Sequence, residues 1–152
     1  MNKKNLIATI YLKNGKLVNG FKDHTEQDDL IERIRLYNDN GIDKIYLFDL
    51  SDNDAEHELN LHTMKEINRV AEIPVYAGGN VNRLEDIKKI LYAGCKKAIL
   101  NPVKDVTAQV SKEGALRFGK DKLALSIHNV DLFFKQKEDV KNNTSELILT
   151  RH

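Results

Sequence analysis

The sequence predicts an α/β chain of repeated strand-helix units, (βα)n, around a parallel sheet. Three observations carry that reading. A phrase recurs along the chain as "NGIDKIYLFDL" from Asn40, "AGCKKAILNP" from Ala93 and "FGKDKLALSI" from Phe118, each a residue-glycine pair, a lysine and an apolar run. Glycine at 41, 94 and 119 supplies the left-handed cap that ends a helix, and the apolar run then enters a strand buried on both faces. Between the phrases the apolar period is helical: Leu30, Ile31, Ile34 and Tyr37 share one face, as do Leu84, Ile87, Ile90 and Leu91. Lastly, "LKNGKL" is a hairpin signal, with Asn14-Gly15 suited to a type I′ turn.

Taken in order, strands are predicted near 6–12, 44–50, 73–77, 97–100, 122–127 and 146–150, the last introduced by a weaker copy of the phrase with Asn143 in place of glycine. The first helix is read from Thr25, with Asp28 as a capping-box partner, and the third from near Asn82, with Glu85 in the same role. The second spans 56–71, stopping before Pro74. The fourth spans 106–118, with Gly114 awkward in its interior, and the fifth 131–142. Alternating β and α elements demand right-handed crossovers and a parallel sheet.

Composition sets the outer bounds. A chain of 152 residues, 41% hydrophobic and 31% charged, describes one globular domain over residues 1–152 with a real core. Twenty-four basic residues against twenty-three acidic ones, interspersed along the helices, give no tract that implies nucleic acid. The lone Cys95 reads as a reduced thiol and places the chain in the cytoplasm. The apolar stretch after Asn2-Lys3-Lys4 is too short for a signal peptide, and nothing is long enough to span a membrane. His57 and His62 lie five apart on a helix, their directions separated by roughly 140°, so a shared metal is not expected. Glu56-His57-Glu58 reads as a solvated helix start, and the run from Lys135 as a charged helix end. No cofactor is called for.

The phrases "LIATIYLKNGKLVNGF", "NGIDKIYLFDLS", "IPVYAGGNVNRLEDIKKILYAGCKKAILN" and "FGKDKLALSIHNV", in that order, resemble the paired histidine-biosynthesis barrels: the cyclase subunit of imidazole glycerol phosphate synthase and ProFAR isomerase. "SELILT" resembles their sixth strand. The resemblance implies a (βα)8 barrel whose substrate carries a phosphate at each end and whose catalysis uses two aspartates, at the ends of the first and fifth strands. At 152 residues against about 250 for eight units, the expectation is an incomplete TIM barrel of about six strands and five helices, or the N-terminal part of a longer chain. Open terminal strands would be apolar edges, so either the sheet flattens into an open doubly wound form with helices on both faces or, the favoured reading, a homo-oligomer or further domains of a histidine-pathway protein cover them.

The catalytic positions implied by the resemblance are substituted. Tyr11 stands where the first aspartate belongs, His128 where the second belongs, and Asn19, read as ligand-facing, where the hairpin lysine belongs. Tyrosine, with an unperturbed pKa near 10, is a poor general base at neutral pH. Two readings stay open: a degenerate, non-catalytic relative acting as an interaction or phosphate-ligand-binding domain, or an isomerase or cyclase on a phosphoribosyl substrate using Tyr11 and His128. The phosphate-binding positions are better kept in Gly78, Gly79, Asn80 and Asn101, with Asn80 for a third glycine and Pro102 removing one donor. Gly78-Gly79 also suits a plain tight turn. Asp49, at the end of "FDLS", is read either as ligand-facing or as a carboxylate that orients loops.

Overall fold

The computed structural model describes residues 5–127 and 138–149. The described elements are β1 (Ile7–Lys13), β2 (Lys16–Val18), β3 (Glu26–Gln27), α1 (Leu30–Asp39), β4 (Lys44–Asp49), α2 (Asp54–Val70), β5 (Val75–Gly78), α3 (Leu84–Tyr92), β6 (Lys97–Leu100), α4 (Thr107–Phe118), β7 (Leu123–Ile127), α5 (Glu138–Asn142) and β8 (Glu146–Leu149). One sheet runs in the order β3-β2-β1-β4-β5-β6-β7-β8. Strands β1, β4, β5, β6, β7 and β8 are parallel, and β2 and β3 extend β1 by antiparallel pairing. The sheet is an open (βα)n arrangement, a partial TIM barrel in which the six predicted strands are joined by two short ones from the hairpin.

Sequential order has a geometric consequence: every right-handed crossover returns on the same side, so the helices gather on one face. Residues alternate accordingly. Ile10, Leu12, Ile45, Leu47, Val75, Ala77, Ala98, Leu100, Leu123 and Leu125 bury against Ile34, Leu61, Met64, Ile67, Ile87, Ile90 and Val110 from the helices. Each large aliphatic group so buried contributes about 2 kcal/mol. The opposite, inner face carries Tyr76, Ile99, Ala124 and Ile148, flanked by Tyr46 and Phe48. Tyr46 stacks on Tyr76 at 5.4 Å, and Tyr11 on Phe48 at 5.9 Å. A flat doubly wound sheet would cover both faces; among the described residues the helices pack against one face only.

Local chemistry explains the boundaries. Asn14 and Gly15 take positive φ (54° and 75°), as the type I′ hairpin requires. The first helix begins at Leu30 and not at Thr25, because Glu26 and Gln27 pair with Val18 and Leu17. Thr25 instead donates its hydroxyl to Asp23 at 2.7 Å. At α3 the residue that reaches back is Asp86 and not Glu85: its Oδ2 accepts the N–H groups of Asn82 and Arg83, both at 3.0 Å. Gly114 sits in α4 because a Cβ there would lie 2.8 Å from Ile87 Cδ1. Of the predicted fifth helix, 138–142 is helical, and 131–137 lies outside the described residues. The sheet is not closed: Leu147 and Leu149 on β8, and Leu6 and Ile7 at β1, are exposed.

Gly79 is the most constrained glycine. Its φ is +111°, and a Cβ would sit 2.2 Å from the carbonyl oxygen of Asp49, whereas Gly41, at φ +75°, has nothing within 4 Å. Gly79→Ala is expected to destabilise the chain by about 3 kcal/mol or more and Gly41→Ala by about 1 kcal/mol, measured by urea unfolding. Equal losses would mean that the β4 end yields to the intruding methyl.

Candidate functional site at the mouth of the open barrel

The C-terminal ends of the parallel strands enclose a cavity of about 340 Å³ lined by Phe21, His24, Phe48, Asp49, Leu50, Ser51, Gly79, Asn80, Ile99, Asn101, Lys104 and Ser126. That volume suits a small ligand. Crevices at the carboxyl ends of parallel strands are where α/β sheets bind ligands, because loops and helix N-termini converge there. The other end is occupied by its own ions. Glu146 accepts Lys97 Nζ at 2.6 Å and the Tyr76 hydroxyl at 2.8 Å, and Lys44 Nζ lies 3.6 Å from it. Burial opposes the charge of Glu146, but Lys97 and Tyr76 outweigh it and hold its pKa below the usual range.

One wall of the mouth is the turn after β5. Gly78 leaves room for Ile99, since a Cβ would meet Ile99 Cβ at 2.7 Å, and Gly79 permits the close approach to Asp49 already described. Asn80 spends its side-chain amide on the neighbouring loop, donating to Ser51 O at 2.8 Å and Ser51 Oγ at 2.7 Å. Asn101 forms the other wall. Its Oδ1 accepts the Val103 N–H at 3.1 Å, and its carbonyl accepts the Thr107 hydroxyl at 2.5 Å. Between these walls stands Lys104, which sequence reasoning passed over. Its Nζ donates to Gly79 O at 3.2 Å and to Asn82 Oδ1 at 2.8 Å. Burial lowers its pKa, against the attraction of Asp86 and Asp49. The only hint in the sequence is its place just after Asn101-Pro102, where a β6–α4 loop turns back over the sheet.

Asp49 faces the helices. Strand alternation turns its carboxylate away from the inner face, and the residue is 3% exposed. Oδ1 accepts Asn60 Nδ2 at 2.5 Å and the Ser51 N–H at 2.9 Å, while Oδ2 pairs with His57 Nδ1. Burial works against the charge, but these hydrogen bonds win and hold the pKa below the ordinary carboxylate value. Asn60 also donates to Leu12 O at 3.2 Å and accepts the Gly15 N–H at 2.7 Å, so one amide ties β1, the hairpin and α2 to Asp49.

The reading of Glu56-His57-Glu58 as a solvated helix start is corrected here: His57 is buried, and Glu56 accepts Lys13 Nζ at 2.9 Å. The signal was present. His57, Asn60, Leu61, Met64 and Ile67 follow the i, i+3, i+4, i+7 stripe of a buried helix face, so the two polar members needed buried partners. His62, by contrast, is exposed and pairs with Glu66 at 3.2 Å.

Tyr11 stands on the inner face near the end of β1, half-buried, with its ring on Phe48. Asn19 is exposed in the hairpin loop, where it donates to Asp23 Oδ2 at 3.1 Å and accepts from Gln27. The structure thus brings Gly79, Asn80, Asn101 and Lys104 together around one cavity, leaves Asn19 and Tyr11 outside its lining, and turns the Asp49 side chain to the helix side. His128 lies outside the described residues. Among the described residues no helix is long and apolar enough to cross a membrane.

Fold and mouth together define an open barrel segment with a cavity at the carboxyl ends of its strands. The chain belongs to the histidine-biosynthesis barrel family: residues 5–148 match the family described as "Histidine biosynthesis protein". It is similar to proteins named imidazole glycerol phosphate synthase subunit HisF. The one from Clostridium botulinum is 34% identical over 132 residues, covering 84% of this chain and 51% of the relative. Those of Helicobacter hepaticus and Halalkalibacterium halodurans are 31% identical over 126 residues and 30% over 129, covering 82% and 84% of this chain and 50% and 51% of theirs. The chain spans about half the length of the curated relatives it matches.

Proposed function

We propose that this chain is a degenerate, non-catalytic member of the histidine-biosynthesis barrels that binds a phosphorylated small molecule at its mouth and serves as an interaction or ligand-binding domain in that pathway. What supports this reading is a wall of glycine and asparagine with a lysine beside it, paired with a replaced acid-base group. Gly79 and Asn80, Asn101 and the Lys104 ammonium surround a cavity of ligand size. At the end of β1, where the family resemblance calls for an aspartate, Tyr11 stacks on Phe48. A phenol with an ordinary pKa near 10 does not replace a carboxylate as a general base at neutral pH. A glycine-containing backbone turn ahead of a helix, with one cation beside it, does suit a phosphate.

The expected outcome is binding without turnover. Ribose 5-phosphate should shift the NMR amide signals of Gly79, Asn80 and Lys104, and Lys104→Ala should weaken that binding roughly tenfold, the scale of one charge-assisted hydrogen bond. Neither ProFAR nor the cyclase substrate should turn over above background in a steady-state assay. Turnover that disappears in Tyr11→Phe or His128→Ala would establish the isomerase or cyclase reading instead, and shifts confined to surface lysines would mean that the glycines are only a turn.

Association belongs to the same reading. The open sheet leaves apolar groups exposed on β8, an edge strand, at Leu147 and Leu149, and at the start of β1, where Leu6 and Ile7 lie beyond the stretch that β2 pairs, and unpaired backbone of that kind invites pairing. A second copy or a further domain of a cytoplasmic pathway protein would cover them. Light scattering of the 152-residue chain at micromolar concentration should give a mass above the monomer's. A clean monomer with β1 and β8 protected from hydrogen exchange would refute this.

A further inference from the structure

Beneath the mouth, His57 is held between two buried carboxylates from two different elements. Nδ1 pairs with Asp49 Oδ2 on β4, and Nε2 lies 3.7 Å from Asp86 Oδ1 on α3. His57 is 6% exposed and lines a second, polar cavity, and its buried Nε2 makes no hydrogen bond among the described residues. The other charged groups bearing on it are Glu58 on its own helix, Asp52 and Asp54, which line the same cavity, and Arg83, whose Nη2 is 3.3 Å from Asp86 Oδ1. Lys104, which both carboxylates attract, lies on the mouth side.

We propose that His57 is a positioning residue for the anion site: its imidazolium, clamped between Asp49 and Asp86, holds the Ser51–Asn80 contact in place, so anion affinity at the mouth falls as His57 loses its proton. The inference rests on the anion-binding reading of the mouth. The chain of contacts is short. Asp49 Oδ1 accepts the Ser51 N–H at 2.9 Å, and Ser51 in turn accepts both bonds from the Asn80 amide. The Asp49 main chain also abuts Gly79, and Asp86 accepts the N–H groups of Asn82 and Arg83, which close the same turn. Both ends of the turn therefore hang on carboxylates that face His57.

With the proton present, one positive charge sits between two negative ones. Without it, the neutral ring keeps its Nδ1–H for Asp49 and turns the Nε2 lone pair toward Asp86, acceptor against acceptor, in surroundings of low dielectric. The hydrogen bond to Asp49 raises the His57 pKa from its usual 6.5, against burial, with the charges of Asp49, Asp86 and Glu58 adding to the rise. Because the folded value is the higher one, the stabilisation is complete below the unfolded value of about 6.5 and is lost as pH rises through the raised value.

The test uses sulfate, whose charge does not change over the range, as the probe for the whole chain, titrated by NMR from about pH 5.5 to about pH 9 while the His57 imidazole is followed through its own signals. Sulfate affinity at Gly79, Asn80 and Lys104 should fall by about fivefold or more, with a midpoint that coincides with the His57 titration. His57→Gln should remove that midpoint while His24, which also lines the mouth, stays in place. Should His57→Gln not fold, Asp86→Asn must shift the midpoint to lower pH, since it removes one of the two charges that hold the proton. Sulfate binding that stays flat through the His57 titration, or a midpoint unmoved by either substitution, overturns the proposal and leaves the anion site standing. If sulfate does not bind at any pH, the anion-site reading fails. The positioning role is then read from the ligand-free amide signals of Ser51, Gly79 and Asn80, which must move with the His57 titration in the parent chain alone; fixed signals overturn it.

Discussion

The buried carboxylate of Asp49 is the constraint on which the rest of the mouth depends. A charge taken out of water at the end of a central strand is tolerated only when donors surround it. Here they come from three directions: the His57 ring and the Asn60 amide on α2, and the Ser51 N–H of the loop that β4 itself enters. Meeting that need fixes where α2 lies against β1 and β4, because Asn60 also bonds Leu12 and Gly15. It also fixes where the β5 turn lies, because Gly79 closes on the Asp49 backbone and Asn80 on Ser51. One charge thus organises two strands, a helix and the wall of the cavity.

The sheet supplies the second level of organisation. Sequential parallel strands put the helices on one face and leave an inner face of stacked aromatic rings, with an ionic cluster around Glu146 at one end and the cavity at the other. That asymmetry gives the mouth an apolar floor, made of Phe48 and Ile99, beneath a polar rim of Asn80, Asn101 and Lys104. The rim cation, Lys104, is partly buried, burial lowers its pKa, and a charge interaction there counts for more than it would in water.

Much of the fold was legible in the sequence. The repeated residue-glycine phrase marks helix ends at Gly41, Gly94 and Gly119, all of which take positive φ, and the strands that follow begin within a few residues of the predicted positions. The first helix start was not legible, because Thr25 and Asp28 make a plausible cap and only the pairing of Glu26 and Gln27 with β2, a contact between separated segments, overrides it. The site was legible in part. Glycines and asparagines announce a turn by their backbone chemistry, whereas Lys104 reaches the cavity by the course of its loop, and surface lysines elsewhere in the chain look the same in one dimension. His57 looked solvated because its immediate neighbours are glutamates; the helical stripe it shares with Asn60 and Leu61 was the stronger signal.

The most direct measurement is the urea-unfolding stability of Asp49→Asn, taken together with its affinity for ribose 5-phosphate, alone and combined with His57→Gln. If the Asp49 carboxylate is a structural tie, the single substitution should cost about 3 kcal/mol or more, as breaking a buried pair does, and His57→Gln should cost much less in the Asp49→Asn background than alone. A variant as stable as the parent chain that no longer binds the phosphate would contradict this and make Asp49 a ligand of the site.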